Sequence, residues 1–484
     1  ARAATRLKEV GIKKVVGALR RDLALQYLAE AVMMAVFAFL VAIGVVIALL
    51  PQFNILTGKH LALQFNPNVI LSVIGILLFT GVAAGSYPAF YLSGFRPVAI
   101  LKNKLKSSIG EVIARKGLVI FQFTLSIILI VAVLVCNRQI EYIQTTNLGY
   151  SRDNVVLIKM EGDISKNLES FLTELKSTPG VLNASAMSGN ITESGNSTGP
   201  GGVTWRGRDP KDATSFEYRE VNNDFVETLG MSMAEGRSFS RAYPNDTSGI
   251  IFNETAIKAM GLKDPIGQAV TYNGTQMHII GVVKDFHFQS FHEAIKPLLL
   301  VAVPAENDRI IAKLGPGQER SAMEKIENLY RRFNPGYTFE YQFMDQDFLA
   351  VYAAERRVGI LSRYFAGLAI FISCLGLFGL ATFTVERRQK EIGIRKVLGS
   401  GTFNIFFLLS KGFIRLILIA IIIALPASYL LTKDWLDSFA YRIDLSIWYF
   451  LTAGCLALTI AWLTVAMQAL KAAYSNPLKS IRTE

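Results

Sequence analysis

The chain has 484 residues, 51% of them hydrophobic, with a mean hydropathy of +0.35 and a formal net charge of +12. That hydropathy excludes a wholly water-soluble protein of this length, because long uncharged apolar runs belong in lipid. The positive charge does not imply nucleic acid, since no basic domain with interleaved aromatic residues accompanies it.

Six apolar runs stand out in chain order, at residues 23–50, 69–92, 117–136, 358–384, 413–431 and 447–470. Each can cover about 30 Å of hydrocarbon as helix, which takes roughly 20 residues. Pro51 and Pro426 are expected near the outer ends of their helices, where a missing N–H is tolerable. The first run follows a basic segment and lacks a short apolar core ending in a cleavage site, so it reads as a span and not a signal peptide. Segments 1–22, 93–116 and 385–412 are rich in Lys and Arg, whereas the loops at 51–68 and 432–446 are not. Basic short loops stay in the cytoplasm, which puts both chain ends inside and the large segment between spans three and four outside. Residues 141–355 hold 20 Lys+Arg and 28 Asp+Glu, a net −8, so the remainder carries +20. The basicity is therefore a property of the cytoplasmic face.

The expected organisation follows directly. Residues 1–22 form a cytoplasmic segment, 23–92 two spans, 93–116 a cytoplasmic linker and 117–140 a third span. Residues 141–355 form an extracytoplasmic domain, 356–384 a span, 385–412 a second cytoplasmic segment, 413–470 two spans and 471–484 a tail. Glu30 lies near the cytoplasmic end of its span and is read as snorkelling, not as a proton relay.

The external domain reads as mixed α+β. Residues 154–160 predict a strand, followed by an amphipathic helix carrying Leu168, Phe171, Leu172 and Leu175. Residues 251–255 lead into a helix near 256–260, and 269–283 predict a hairpin turning at Asn273-Gly274. Segments 297–303 and 309–314 predict strands, and 319–333 predict a helix with Ala322, Ile326, Leu329 and Phe333 on one face. The three cysteines, Cys136, Cys374 and Cys455, all fall in spans, so this domain relies on its core and not on disulfides. Asn183, Asn190, Asn196, Asn245, Asn253 and Asn273 head N-x-S/T sequons that Asn- and Thr-rich loops produce by chance. His278, His287 and His292 lie near Asp285 and Glu293 without a close-spaced ligand pair, so no metal is expected. Ser188 and Ser194 sit in a Gly/Ser/Asn-rich stretch, 186–202, with no nearby base; it predicts a flexible loop and no hydrolase triad. No catalytic residue and no cofactor is expected.

One phrase occurs twice. Residues 8–18 read KEVGIKKVVGA and residues 390–400 read KEIGIRKVLGS, 382 positions later. Both stand on the cytoplasmic side just before a span. Ile394, Val397 and Leu398 share one helical face, as do Ile12, Val15 and Val16, and Glu391–Arg395 and Glu9–Lys13 are helix pairs four apart. Gly11 and Gly393, like Gly17 and Gly399, are expected either to let a partner backbone approach or to end the helix. The plain alternative is an interfacial helix that binds anionic headgroups. The repeat extends further: after two spans each copy reaches a proline, Pro97 and Pro477, 380 positions apart. The span–domain–span unit ahead of the second copy has no counterpart ahead of the first. The expectation is that a tandem duplication continues upstream by roughly 300 residues.

The phrase Glu391-Ile392-Gly393-Ile394-Arg395-Lys396-Val397-Leu398-Gly399, with Glu386-Arg387-Arg388 before it, resembles the cytoplasmic signature of MacB/FtsX-type ABC transporter permeases. Asn222-Asn223-Asp224-Phe225 through Gly230 and Gly281-Val282-Val283-Lys284-Asp285-Phe286 extend the resemblance over most of the chain. It is similar to the long, duplicated permeases of Bacteroides-like bacteria. The resemblance implies six transmembrane helices with a porter-like subdomain and a small β subdomain outside, in a bacterial inner membrane. It implies that Glu9, Gly11, Ile12, Lys13, Lys14 and Gly17, with Glu391, Gly393, Ile394, Arg395, Lys396 and Gly399, form coupling helices that dock on a separate ATPase dimer. It also implies a non-catalytic subunit acting in the lipid bilayer with a periplasmic adaptor, outer-membrane or cell-wall partner. The sequence fits that division of labour, because no G-x-x-x-x-G-K-[ST] loop occurs; Thr57-Gly58-Lys59-His60 lacks the first glycine. Two roles stay open at this point. One is export or extraction of a periplasmic substrate, the other FtsX-like activation of a cell-wall hydrolase or signalling partner.

Overall fold

The computed structural model describes residues 13–64, 66–93, 109–192, 196–303, 306–398 and 400–474. The chain divides into two compact units. One comprises Ala1–Cys136, Arg357–Thr432 and Leu445–Glu484; the other comprises Asn137–Arg356 and Lys433–Asp444.

The membrane unit begins with α1 (Arg20–Thr57) and α2 (Pro67–Ser93). Beyond Glu30 in α1, and along α2, the helices are apolar around their whole circumference, as helices facing lipid are. Gly58, at φ 64°, closes α1 with a left-handed cap whose N–H donates to Asn54 O. The two helices approach closely at Gly81 and Gly85, four residues apart. A Cβ at Gly81 would lie 2.9 Å from Val32 Cγ2, and one at Gly85 2.8 Å from Ala31 Cβ. Without a hydrophobic force between helices in lipid, such small-residue seams supply the contact. Leu23, Tyr27 and Ala89 form a buried node between the pair. Next comes α3 (Ile109–Thr145).

The second unit follows in chain order as β1 (Val155–Lys159), α4 (Leu168–Ser177), β2 (Val181–Met187), β3 (Val203–Trp205), β4 (Glu217–Val221), α5 (Phe225–Thr228), β5 (Met233–Gly236), β6 (Gly249–Asn253) and α6 (Glu254–Met260). It continues with β7 (Ala269–Tyr272), β8 (Thr275–Val283), β9 (Leu298–Ala302), β10 (Arg309–Leu314), α7 (Glu319–Phe333), β11 (Tyr341–Phe343) and α8 (Met344–Val351). The strands form one sheet in the order β11-β1-β10-β2-β4-β9-β6-β8-β7-β3, with β5 on β8. At one end β11, β1, β10 and β2 pair antiparallel. They belong to two strand–helix–strand units, the split βαβ arrangement. Phe171, Leu172 and Leu175 of α4 and Ala322, Ile326 and Tyr330 of α7 cover this end by packing on Val156, Ile158, Ile310 and Ala312. The other end is the β-rich middle of the chain. Its β7–β8 hairpin turns at Asn273 (φ 46°) and Gly274 (φ 81°), the left-handed pair a two-residue turn requires.

The domain expected at residues 141–355 is completed by a segment from between the fifth and sixth spans. Phe439 is 2% exposed and belongs to the same core as Phe286, Phe288 and Phe291. Ala440 and Tyr441 donate their N–H groups to Phe291 O at 2.9 and 3.1 Å. Gln139 Nε2 donates to Tyr441 O at 3.0 Å while its Oε1 accepts from Ile443 N at 2.9 Å. His292 stacks on Phe439 at 3.8 Å, donates from Nδ1 to Ser438 O at 2.9 Å and sets Nε2 3.2 Å from Glu355.

The chain returns to the membrane unit with α9 (Ala353–Arg387), α10 (Gln389–Val397), α11 (Thr402–Asp437) and α12 (Ile447–Tyr474). Among the described residues six helices are long and apolar enough to cross a membrane. Ser126 of α3 and Ser373 of α9 share a buried hydroxyl–hydroxyl bond of 3.0 Å. Along α12, Ala453, Ala457, Ala461, Val465 and Ala469 are buried at every fourth position, a second small-residue seam. Pro51 and Pro426 lie inside α1 and α11, which both run on past the expected outer ends. In hydrocarbon no water competes for the remaining backbone bonds, so one missing N–H does not end the helix.

Candidate coupling site

The second repeat forms α10. Ile392, 5% exposed, anchors it against Leu409 of α11 and Ala469 of α12, with Val385 and Phe406 around them. Gly393 is buried beside it. Glu391 and Arg395 pair at 2.8 Å one turn apart. Ile394, Val397 and Leu398 point away from this anchor and are 55%, 66% and 78% exposed. Among the described residues, the face that the repeat marks as apolar is therefore left uncovered. The helix closes with Leu398 N–H on Ile394 O and Ser400 N–H on Arg395 O, the latter at 2.9 Å.

The first repeat is described from Lys13 onward; Glu9, Gly11 and Ile12, like Gly399 in the second, lie outside the described residues, as do both proline phrases and Ser194. Gly17 sits at φ 103° and donates to Lys14 O, while Ala18 N–H donates to Lys13 O at 2.9 Å. These are the two bonds of a Schellman cap. Shifted by 382 positions, Ala18–Lys13 becomes Ser400–Arg395, so the two repeats close with the same bond. The buried node matches as well: Tyr27 and Ala89 in the first correspond to Leu409 and Ala469 in the second. Lys13 Nζ donates to Gln26 Oε1 at 3.3 Å. Burial first, and Arg20 second, pull the Lys14 ammonium below its usual range. Val15 and Val16 are 64% and 82% exposed, like their counterparts Val397 and Leu398.

Two features differ from the reading of the repeat alone. Gly393 is buried with the anchor, whereas the repeat leaves open an approaching partner backbone. Ile392 carries the anchoring contact, although the spacing of the apolar face gives it no role. Its signal in the sequence is that Val10 keeps the same position apolar in the other repeat. Of the outer-domain histidines, His287 and His292 are spent on packing and His278 is exposed. His287 stacks on Phe291 at 4.5 Å, and burial, opposed by Asp285, lowers its pKa. Among the described residues no group of three or more His, Cys, Asp or Glu side chains could hold a metal ion.

The FtsX-like permease C-terminal family matches residues 1–97 and again 363–477, and the MacB-like periplasmic core domain matches residues 123–329. The chain belongs to the MacB/FtsX-type family of ABC transporter permeases. The two FtsX segments are the two repeats, and the core-domain match falls on the outer α+β unit. This MacB/FtsX-type chain is a multi-pass inner-membrane protein with its core domain in the periplasm. It is 24% identical over 190 residues to the macrolide export ATP-binding/permease protein MacB of Chromobacterium violaceum, covering 37% of this chain and 30% of that protein. It is 35% identical over 99 residues to the pyoverdine export ATP-binding/permease protein PvdT of Pseudomonas syringae pv. tomato, covering 20% of this chain and 15% of that one. The chain thus spans less than a third of the length of either relative. The periplasmic region of MacB from Actinobacillus actinomycetemcomitans superimposes with a TM-score of 0.31 at 14% identity, over 43% of this chain and 97% of that one.

Proposed function

We propose that this permease couples ATP hydrolysis by a separate ATPase subunit to motion of its periplasmic domain, and so drives export or extraction of a periplasmic substrate. In this reading each repeat is a docking element. Glu391, Gly393, Ile394, Arg395, Lys396 and Gly399 serve in one, Glu9, Gly11, Ile12, Lys13, Lys14 and Gly17 in the other. The observation that carries it is the uncovered apolar face of α10, flanked by Arg395 and Lys396 and held on α11 by Ile392. Its neighbour α11 is one helix of 36 residues, about 54 Å long at 1.5 Å per residue. A helix without a break is suited to pass a push at one end to the other. The names of the relatives pair a permease with ATP binding, and this sequence carries no phosphate-binding loop of its own.

The test replaces Ile394 and Leu398 by Asp and co-purifies the ATPase encoded with this permease. Placing carboxylates on the docking face should lower retained ATPase by at least about tenfold, on the order of 1.4 kcal/mol. ATP turnover in lipid should fall with it, while insertion is unchanged. Undiminished association and turnover would remove the coupling role from this face.

A further inference from the structure

We propose that the cytoplasmic ends of α3, α9 and α11 enclose a binding site for the phosphate of an anionic phospholipid, with an acyl chain laid along α3 and α9. Two neighbouring pockets lie there, one of about 180 Å³ between α3 and α9 and one of about 240 Å³ beside α11, with Leu380 in the lining of both. Four cations line the larger pocket: Lys116 of α3, Arg388 just past the end of α9, and Lys411 and Arg415 of α11. Among the described residues no carboxylate lines it. Among the described residues, too, none of the four makes an ion pair or a side-chain hydrogen bond, and Glu391, three residues from Arg388, is paired with Arg395.

Such an arrangement is unfavourable by itself. Lys411 and Arg415 are one turn apart on one helix, where like charges repel. Arg415 falls within the expected span 413–431, and Lys116 and Lys411 stand at the cytoplasmic ends of their helices. Clustered cations at a helix end beside lipid are costly unless they meet an opposite charge. A single phosphate between the four would remove the repulsion and supply the missing hydrogen-bond acceptors. Basic pockets between helices on the cytoplasmic side are suited to anionic headgroups.

The walls favour a lipid over a soluble anion or an acidic protein segment. Leu409, Phe413 and Leu416 line the cation pocket. The adjoining cleft is formed by Leu118, Val119 and Phe383 facing Gly376 and Gly379. Gly379 opens this groove, since a Cβ there would meet nothing within 4 Å, whereas Gln122 already closes the space at Gly376, where a Cβ would clash with its Oε1. Arg115 stands over Phe383 at 4.3 Å to the ring centroid, so its charge also borders the groove. A free phosphate or an acidic side chain would leave the cleft unfilled.

The experiment uses the full chain in phosphatidylcholine nanodiscs doped with phosphatidylglycerol, and counts by native mass spectrometry the phosphatidylglycerol retained per chain. Wild type should retain it in preference to phosphatidylcholine. K411Q/R415Q should lower retention by about tenfold or more. Gly379→Leu, which keeps every charge and fills the cleft, should lower it as well, so a folding failure in one variant leaves the other decisive. Equal retention by wild type and variants overturns the proposal. Displacement of the lipid by millimolar inorganic phosphate, with Gly379→Leu silent, overturns it in favour of a soluble anion. Protection of Lys116 and Lys411 from acylation by the ATPase, and not by phosphatidylglycerol, overturns it in favour of a protein contact.

Discussion

The two repeats close with the same backbone cap and bury the same node, yet their membrane helices differ in how much they hide. In their most apolar windows α1 and α2 bury 0% and 11%, whereas α11 and α12 bury 28% and 39%. The seams differ too. Gly81 and Gly85 of α2 correspond, 380 positions on, to Ala461 and Val465 of α12. Glycine lets α1 and α2 touch backbone to side chain, because the pair has little else to hold it. In the second repeat α11 also bonds α3, where Thr124 Oγ1 reaches Ala420 O at 3.4 Å, so a methyl-wide gap is acceptable. The coupling phrase is thus held in one geometry by local bonds, while the helices behind it are free to differ.

The largest expected effect comes from the node. Leu409→Ala should cost about 3 kcal/mol, as buried Leu→Ala changes do, and release Ile392. Amide exchange in α10 should rise with it, while Tyr27→Ala leaves α10 protected; equal protection of α10 in both variants would break the separation of the repeats. Next is the seam. Gly81→Ala should destabilise the α1–α2 pair by about 1–2 kcal/mol, since its Cβ would sit 2.9–3.0 Å from Val32 atoms. Gly75→Ala, with nothing within 4 Å, should gain up to about 1 kcal/mol from helix propensity. Steric trapping or denaturation in mixed micelles distinguishes the two signs. The cap is weaker: Gly17→Ala at φ 103° should cost about 1 kcal/mol, and Gly399→Ala the same if the shared bond means a shared cap. Protease nicking after residues 13–20 and 395–400 reads both. Smallest is Glu391→Gln, about 0.3–0.5 kcal/mol for one exposed pair, measured as loss of α10 helicity that disappears in high salt.

Much of this was legible in the residues. The helix at 319–333 and the strand at 309–314 match their expected limits, because a strong period fixes a face and Gly or Pro punctuation fixes the ends. The turn at Asn273-Gly274 was legible for the same reason: few residues accept two successive positive φ angles. Strands β3, β5 and β11 were not, being three or four residues long, with too few positions to show alternation. The repeat located the candidate site but not its inside. A helical period ranks faces by polarity, and it cannot say whether Ile394 or Ile392 meets the rest of the chain. The small-residue seams escaped notice for a related reason: on a helix apolar all round, alanine and leucine look alike until backbones come close.

The segment Lys433–Asp444 has a consequence for modularity. Phe291 O accepts two N–H groups from this segment, and His292 leans on Phe439. An excised periplasmic fragment ending near residue 355 would carry an open apolar wound with an unsatisfied carbonyl at its centre. Recombination between related permeases meets the same constraint. A domain transplanted without this distant stretch arrives without its plug, so the outer domain and the segment joining the last helix pair have to be exchanged together.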